Sequence, residues 1–361
     1  MSRPHAAAQL EDAWHNQLVG MLERRGWGTR VLAYTGYGTG EHVRILGRVL
    51  MTRRPYNPAA AHAGATWLEL RNADRERRGW KSFFTAPAVG EPVEVTAGDR
   101  TVTAYTDRSG IIDVMITGHG LEAGWHTVTL RSPRAADATA TVHIVGDEQT
   151  FGIVSDIDDT VITTMLPRPM IAAWNTFFKH ESTRSAVPGM ATFYRELLAV
   201  NPGAPIVYVS TGAWNTVPQL MRFFRRSGYP IGPLLMTDWG PTNTGWFRSG
   251  QDHKRACLHR LARELPQVQW LLVGDDGQHD PSLYGEFAEQ RPERVRAIAI
   301  RELTLAQSAL SHGVAPAESV HEARVGGAPV VSAETGYALL RKVRDVLGLP
   351  APAEPVLRTE P

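Results

Sequence analysis

The sequence predicts an all-β sandwich followed by an α/β domain with a parallel sheet. Three observations predict this. Between about residues 30 and 145, short β-branched segments alternate with turns, which is typical of an antiparallel sandwich. After about residue 150, near-continuous apolar runs alternate with helical patterns, which is typical of a parallel sheet covered on both faces. A length of 361 residues accommodates two such domains.

The composition excludes several classes of protein. A formal net charge of +1 gives no bulk electrostatic signal for nucleic acid, and we expect no nucleic-acid partner. The single cysteine, Cys257, excludes an intramolecular disulfide framework and a multi-cysteine zinc site. No segment approaches the roughly 20 apolar residues of a membrane span. The first residues show no secretory-signal pattern, so we expect a cytoplasmic protein.

Residues 1–29 are expected to form an N-terminal helix. Leu10, Trp14, Leu18 and Met21 recur at helical spacing, with polar residues between them. Such a stripe favours docking onto the protein body, and lying in a membrane interface is the alternative.

Residues 30–147 are predicted to form the β-sandwich, of immunoglobulin-like type. Its strands are expected at Val43–Thr52, Glu91–Ala97, Thr101–Thr106, Gly110–Thr117, His126–Arg131 and Ala138–Val145. The glycine-rich residues 36–40 are followed by a strand pattern and lack a Gly-Lys-Ser/Thr sequence, so a tight turn is favoured over a phosphate loop. Residues 71–84 combine basic and aromatic side chains, either in a solvated loop or in a patch that meets anionic headgroups.

Residues 148–349 are predicted to form the α/β domain, and residues 350–361 a disordered, proline-rich tail. Its apolar and helical runs are Gly152–Ser155, Met190–Ala199, Pro205–Val209, Thr216–Ser227, His253–Glu264, Val268–Val273 and Val295–Ile300. The last helix is expected at Ala333–Leu347, with Ser332 as its N-cap.

Polar side chains follow three of the predicted strands. These are Asp156, Asp158, Asp159 and Thr160 after the first strand, Ser210-Thr211-Gly212 after the second, and Gly274-Asp-Asp-Gly-Gln-His-Asp280 after the third. Lys254 lies near the start of the helix between the last two. Because ligands of parallel sheets bind outside the carboxyl ends of the strands, we expect these side chains to meet at one edge.

This set of side chains suits phosphoryl transfer. A carboxylate can attack phosphorus and form an aspartyl-phosphate. A second acid two residues on can protonate the leaving alkoxide and then activate water. Mg²⁺, which prefers oxygen ligands, offsets the repulsion between carboxylates and phosphate. A hydroxyl and an ammonium can hold the remaining phosphoryl oxygens. Each residue alone would indicate an ordinary turn or surface position, and only their joint order is informative.

The order of these motifs resembles the haloacid dehalogenase-like (HAD) hydrolase superfamily. Asp156-Ile-Asp-Asp-Thr160 resembles its first motif, Ser210 its second, Lys254 its third, and Gly274-Asp275 with Asp280 its fourth. The resemblance implies a Rossmann-like HAD domain, with Asp156 as nucleophile and Asp158 as acid and base. It implies Mg²⁺ ligation by Asp156, Asp275 and the backbone carbonyl of Asp158, with Asp280 as a further ligand or just behind the ligands. It implies phosphoryl binding by Ser210, Thr211, Gly212 and Lys254.

A closer resemblance is to bacterial members of the actin-patch phosphatidate phosphatase family. It rests on Ser155–Thr160, Val187-Pro-Gly189 with Phe193-Tyr194, Gly232–Leu235, His253-Lys254, Gly274–Pro281 with Tyr284, and on Gly36–Thr39 with Gly47–Val49. The resemblance covers about residues 30–305 and implies hydrolysis of phosphatidate to diacylglycerol and phosphate, a reaction of lipid metabolism. The family commonly has serine at the position of Asp276, so which aspartate of this motif binds the metal is left open.

About 50 residues separate the first two motifs, which leaves little chain for a cap domain. Residues 163–184 would form either an apolar rim around an open site or a surface packed on the sandwich. An open site suits a bulky or membrane-presented phosphate. Peripheral membrane contact would then use residues 71–84 or the stretch Arg222-Phe-Phe-Arg-Arg226.

Two alternative functions stay open at this point. One is a phosphatase for a soluble or nucleic-acid-end phosphomonoester. The other is a non-catalytic lipid-binding module, which is disfavoured because all four motif positions carry competent side chains. A serine hydrolase is also disfavoured, because Ser210 lacks the Gly-x-Ser-x-Gly sequence of a nucleophile elbow.

Overall fold

The computed structural model describes residues 21–22, 24–25, 27–52, 86–163, 185–237, 250–277, 279–304 and 324–350. Most of the predicted N-terminal helix, all of the segment 71–84, most of the rim segment 163–184 and nearly all of the tail lie outside these residues. Leu22 is helical and packs against the core of the first sheet.

Within the described residues, the first sheet contains seven strands. They are β1 (Gly28–Gly38), β2 (His42–Thr52), β3 (Pro92–Ala97), β4 (Arg100–Tyr105), β5 (Ile111–Thr117), β6 (Gly124–Arg131) and β7 (Ala138–Ile144), and their spatial order is β4-β3-β6-β7-β1-β2-β5. Six of them coincide with predicted strands within two residues at either end. Strand β1 was not predicted.

The first sheet differs from the two-sheet sandwich expected from the sequence. Strand β1 pairs with β2 in antiparallel fashion, and its last residues, Gly36–Gly38, pair in parallel with β7. This parallel pairing joins all seven strands into one sheet. The register of β1 shifts between Tyr34 and Tyr37, and such an irregularity bends a strand. The outer strands β4 and β5 contact each other, so the sheet is nearly closed.

The glycines that suggested a turn belong partly to β1. The chain turns at residues 39–41, where the amide of Thr39 donates to the carbonyl of His42 at 2.8 Å. A Cβ atom on Gly38 would lie 2.1 Å from that carbonyl oxygen. Glycine is therefore required here for the close approach of two strands, and the predicted turn begins two to three residues later than expected.

The second sheet is largely parallel. Its strands are β8 (Phe151–Asp156), β11 (Ile206–Ala213), β12 (Leu234–Thr237), β13 (Gln269–Asp275), β14 (Val295–Arg301), β15 (Arg324–Val325) and β16 (Ala328–Ala333), in the order β12-β11-β8-β13-β14-β16-β15. All neighbours are parallel except β15 and β16. The short strands β9 (Ile162–Thr163) and β10 (Ser185–Ala186) form a separate pair. Assignment of this domain to the HAD fold stays a prediction.

Five described helices accompany this sheet. They are α1 (Met190–Ala199), α2 (Val217–Ser227), α3 (Gly250–Glu264), α4 (Asp280–Gln290) and α5 (Gly336–Leu347). The sequence did not predict α4. The predicted start of the last helix was wrong: its N-cap is Thr335, whose hydroxyl accepts from the Ala338 amide, and Ser332 lies in β16. The β-branched Val330 and Val331 favour a strand immediately before the helix.

Strand β8 lies at the point where the strand order reverses. The chain proceeds from β8 to β11 and β12 on one side, then crosses to β13, β14 and β16 on the other. A crevice forms at such a switch point, outside the carboxyl ends of the strands, and ligands bind there. The crevice in this protein lies between the ends of β8 and β13.

The two sheets share one hydrophobic core. Tyr34, Tyr37 and Leu46 of the first sheet belong to the same buried cluster as the strands of the second. The described helices include none with the length and apolar character that crossing a bilayer requires.

His143 of β7 is expected to lower the stability of the fold in acid. Its imidazole stacks on Trp125 with ring centroids 4.6 Å apart, and burial lowers its pKa from 6.5 to about 4. Between these values the unfolded chain binds a proton that the folded chain does not, so the free energy of unfolding decreases as the pH falls.

We expect a loss of about 2 kcal/mol in the free energy of unfolding between pH 7 and pH 5, measured by urea unfolding. His143→Phe keeps a ring against Trp125, and it should remove most of this difference. An unchanged pH dependence in the variant would contradict the assignment.

Candidate active site and metal centre

Three neighbouring strands deliver the predicted side chains to the switch-point crevice. Val209 of β11 pairs with Asp156 of β8, and Ser210 follows one residue later. On the other side, Val273 of β13 pairs with Ser155, so Asp275 extends one residue beyond Asp156. The strands are largely apolar and buried, and Asp156, Ser210 and Asp275 lie at or near their carboxyl ends.

Three buried carboxylates meet at this edge. Asp156, Asp275 and Asp280 are each at most 1% exposed, and their ligand oxygens lie within 4.8 Å of one another. The Oδ2 atom of each accepts no hydrogen bond from any described residue. A buried carboxylate oxygen without a partner is costly, and three that converge fit a divalent cation such as Mg²⁺. These residues are the three of the predicted ligand set that the structure brings together.

Lys254 supplies a positive charge to the carboxylate cluster. It lies on α3, is 6% exposed, and its Nζ atom is 2.6 Å from Oδ1 of both Asp156 and Asp280. The ammonium thus bridges the end of β8 and the first turn of α4. Three carboxylates and one ammonium leave a net negative charge, which a bound divalent cation would offset.

The pKa values of these groups reflect that imbalance. Burial raises the pKa of Asp156, and neighbouring Asp280 and Asp158 raise it further, while Lys254 lowers it. Burial raises the pKa of Asp275, and neighbouring Asp280 and Asp156 raise it further. Burial lowers the pKa of Lys254, but Asp156 and Asp280 raise it by more, so the net shift is upward. The ammonium is held charged, while the carboxylates lack sufficient compensation among the described residues.

The side chains of Asp158, after β8, and Ser210, in the neighbouring strand β11, contact each other. The Ser210 hydroxyl donates to Oδ2 of Asp158 at 3.1 Å and accepts from the amide of Gly212 at 2.9 Å. Asp158 lies in a tight loop that folds back over the end of β8, where the amide of Asp159 donates to the carbonyl of Ile162. Thr211 and Gly212 follow Ser210 within β11, which continues to Ala213 instead of ending at Val209 as predicted. Phosphoryl binding by these residues stays a prediction. Ligation by the Asp158 carbonyl stays a prediction.

The structure separates the roles of Asp275 and Asp276. Asp275 points into the carboxylate cluster, and its Oδ1 atom accepts from the amide of Gly277 at 2.7 Å. Asp276 is half-buried, lies outside the cluster, and accepts at Oδ1 from the amide of Leu303 at 2.8 Å. The additional aspartate of this motif therefore fastens the chain after β14 rather than adding charge to the metal site.

Gly274 makes room for Asp280. A Cβ atom on Gly274 would lie 2.5 Å from Oδ2 of Asp280. Asp280 is the first residue of α4, where the helix dipole favours a carboxylate. The glycine before Asp275 is thus explained by the packing of the third carboxylate against the strand.

Sequence reasoning missed Arg301. It is 3% exposed at the end of β14, beside Asp275, and its Nη1 atom donates to the carbonyl of Asp159 at 2.7 Å. Asp159 has a positive φ of 58°, an unfavourable conformation for a residue with a side chain. Arg301 helps to hold this loop. Arg301 is the first polar residue after the run Val295–Ile300. The same signal, a polar residue just after a predicted strand, identified Asp156, Ser210 and Asp275.

Only part of the stretch of α2 that was predicted to contact a membrane is exposed. Arg222, Arg225 and Arg226 are exposed, whereas Phe223 and Phe224 are buried and pack against Tyr229. The aromatic side chains of this stretch therefore belong to the core. The other predicted contact, residues 71–84, lies outside the described residues.

The site lies in the part of the chain that is similar to known proteins. Residues 151–302 match the family model described as phosphatidate phosphatase APP1, catalytic domain. The predicted resemblance to this family is thereby supported for the part that carries the carboxylates, Ser210 and Lys254. The N-terminal part of the predicted resemblance lies outside the matched residues.

Two yeast proteins are similar over nearly the same region. Phosphatidate phosphatase APP1 of Saccharomyces cerevisiae is 27% identical over 152 residues, which are 42% of this chain. An uncharacterized protein of Schizosaccharomyces pombe is 28% identical over 159 residues, which are 44% of this chain. The chain covers 26% of the length of each relative.

The similarity to solved structures is low. A carbohydrate acetylesterase from Xanthomonas citri covers 87% of this chain and 73% of its own, with 10% identity and a TM-score of 0.27.

Proposed function

We propose that the protein is a magnesium-dependent phosphomonoesterase that acts on phosphatidate through an aspartyl-phosphate at Asp156. The observation that carries the proposal is the convergence of Asp156, Asp275 and Asp280 with Lys254 at one sheet edge, each carboxylate retaining an unpaired oxygen. The match of residues 151–302 to the APP1 catalytic domain supports phosphatidate as the substrate.

The first step transfers the phosphoryl group to Asp156. One oxygen of its carboxylate attacks phosphorus while the bond to the ester oxygen breaks. Asp158, in its protonated form, gives its proton to the departing alkoxide, which leaves as an alcohol such as diacylglycerol. Ser210, 3.1 Å from Asp158, is placed to donate to a phosphoryl oxygen once substrate enters.

The second step returns Asp156 to its free form. Asp158, now ionised, accepts a proton from water, and the resulting hydroxide attacks phosphorus and displaces the carboxylate of Asp156. Lys254 stays within reach of Asp156 throughout and stabilises the charge on the phosphoryl oxygens. Mg²⁺, held by Asp156 and Asp275 with Asp280 beside them, would neutralise charge between the carboxylates and the phosphate.

A substrate panel tests the proposal. The purified protein should release phosphate from phosphatidate in mixed micelles with Mg²⁺, and EDTA should abolish the release. Soluble phosphomonoesters and an end-phosphorylated oligonucleotide are tested for comparison. Faster phosphate release from either would show that phosphatidate is not the preferred substrate. Binding to phosphatidate vesicles without hydrolysis of any ester would favour a lipid-binding module. Asp158→Asn is the matched control, because it removes the proposed proton carrier while keeping the side chain's shape.

Magnesium binding is also expected to stabilise the fold. At a concentration of Mg²⁺ about a hundred times its Kd, the free energy of unfolding should rise by about 2.7 kcal/mol, measured by thermal or urea unfolding. Asp275→Asn should remove most of this gain, because Asp275 is a central member of the carboxylate cluster. Asp276→Asn should retain it, because Asp276 lies outside that cluster. An equal gain in the free energy of unfolding for the wild type and both variants would show that the ion binds elsewhere.

Contact with a lipid surface is proposed for the exposed arginines of α2. Arg222, Arg225 and Arg226 give this helix a basic surface suited to anionic headgroups. Raising the salt concentration should therefore lower hydrolysis of phosphatidate in anionic vesicles more than hydrolysis of a soluble ester.

A further inference from the structure

Strand β1 of the first sheet contacts the helical turn that follows the strand carrying Ser210. The ring of Tyr34 stacks on Trp214, with centroids 5.2 Å apart and an interplanar angle of 16°. Both side chains are 8% exposed. Trp214 begins the helical turn Trp214–Thr216, four residues after Ser210. The first sheet therefore packs against the segment that follows Ser210.

The same strand contacts the helix that carries Lys254. The Tyr37 hydroxyl donates to Oε2 of Glu264 at 2.7 Å, and Glu264 is the last residue of α3. Arg44 of β2 also donates to both carboxylate oxygens of Glu264, at 3.0 and 2.5 Å. Helix α3 is thus held at both ends, by Asp156 and Asp280 near its start and by the first sheet at its end.

An alternating set of charges extends this contact. Arg44 pairs with Asp113 of β5, and Arg260 of α3 lies 3.3 Å from the other oxygen of Asp113. Glu264 is buried, so its two donors are required to offset the loss of hydration. Contacts of this kind fix the orientation of a helix more closely than apolar packing alone, because each has a preferred direction.

We infer that strand β1 is a positioning element of the active site. Tyr34 fixes the segment after Ser210, and Tyr37 fixes the helix that carries Lys254. Both tyrosines lie outside residues 151–302, the part that matches the APP1 catalytic domain. The inference rests on the proposed function only where activity is measured, and amide hydrogen exchange tests it without any substrate.

The first test compares Tyr34→Leu with Tyr34→Phe by hydrogen exchange in the full chain. Tyr34→Leu removes the stacked ring. Relative to the wild type, we expect amide exchange over residues 206–216 to accelerate about 2- to 10-fold more than exchange over β14. Tyr34→Phe keeps the ring and deletes a hydroxyl that has no partner among the described residues, so it should exchange like the wild type. A uniform increase over all segments, or none at residues 206–216, would overturn the role of Tyr34.

The second test uses Tyr37→Phe, a conservative change that keeps the fold. It deletes a hydroxyl that donates to Glu264, whereas Tyr34→Phe deletes one that donates to nothing described. We expect faster exchange over residues 250–264 in Tyr37→Phe alone, and a severalfold higher KM for the phosphoester. Identical behaviour of the two variants would overturn the role of Tyr37. Absence of hydrolysis in the wild type would instead refute the proposed function, and the exchange data would still decide the inference.

Discussion

Replacing Asp156 with asparagine is expected to lower kcat for phosphoester hydrolysis by at least about a thousandfold. The asparagine amide has nearly the same shape but no nucleophilic oxygen, so the first displacement cannot occur. Lys254 keeps Asp280 as a partner, and the variant should fold. The measurement is kcat with Mg²⁺ on the best substrate of the panel, together with covalently bound phosphate after a rapid acid quench. The wild type should retain such phosphate, and the variant should not.

Asp276→Asn is the matched control for this experiment. It makes the same chemical change at a neighbouring strand end, but its Oδ1 atom can still accept from the Leu303 amide. We expect kcat within a fewfold of the wild type. Normal turnover in Asp156→Asn, or an equally large loss in Asp276→Asn, would show that the nucleophile has been assigned to the wrong aspartate.

Replacing Lys254 with methionine should produce the largest loss of stability. Methionine fills a similar volume but leaves Asp156 and Asp280 buried without their shared cation. Removing one partner of a buried ion pair costs about 3–5 kcal/mol, which urea unfolding would measure directly. Hydrolysis should also be lost, because the ammonium that stabilises the phosphoryl oxygens is gone.

Two further variants test the cause of that loss. Lys342→Met removes an exposed lysine whose Nζ donates to the Ser332 carbonyl, and it should cost less than about 1 kcal/mol. Adding Asp280→Asn to Lys254→Met deletes one of the unpaired charges, so the double variant should be more stable than the sum of the single effects predicts. Strict additivity would contradict a shared ion pair.

The site was predictable largely because one geometric rule applies to every parallel strand. Asp156, Ser210 and Asp275 each follow a buried apolar run, and the carboxyl ends of such runs meet at one edge. The same rule applied to the run before Arg301 would have found that residue as well. Lys254 needed the order of the motifs, because a lysine near the start of a helix carries no local signal.

Other features depend on contacts that no local pattern contains. Two adjacent aspartates have the same chemistry, and Asp276 differs from Asp275 in that it accepts from the amide of Leu303, which follows another strand. Strand β1 resembled a turn because its glycines serve close approach to β2, which depends on the partner strand. The pairing of Tyr37 with Glu264 joins residues 227 positions apart, and sequence periodicity contains no information about it.

The position of β16 limits how far the chain can be truncated from its C-terminus. The recognisable segment ends at residue 302, yet β14 pairs along its outer side with residues 330–333 of β16. A truncation at the end of the match would expose Ile298 and Ile300 on an unpaired apolar edge, which invites aggregation of the truncated product. A truncated form of the chain should therefore extend at least to Leu347, the end of the helix that follows β16.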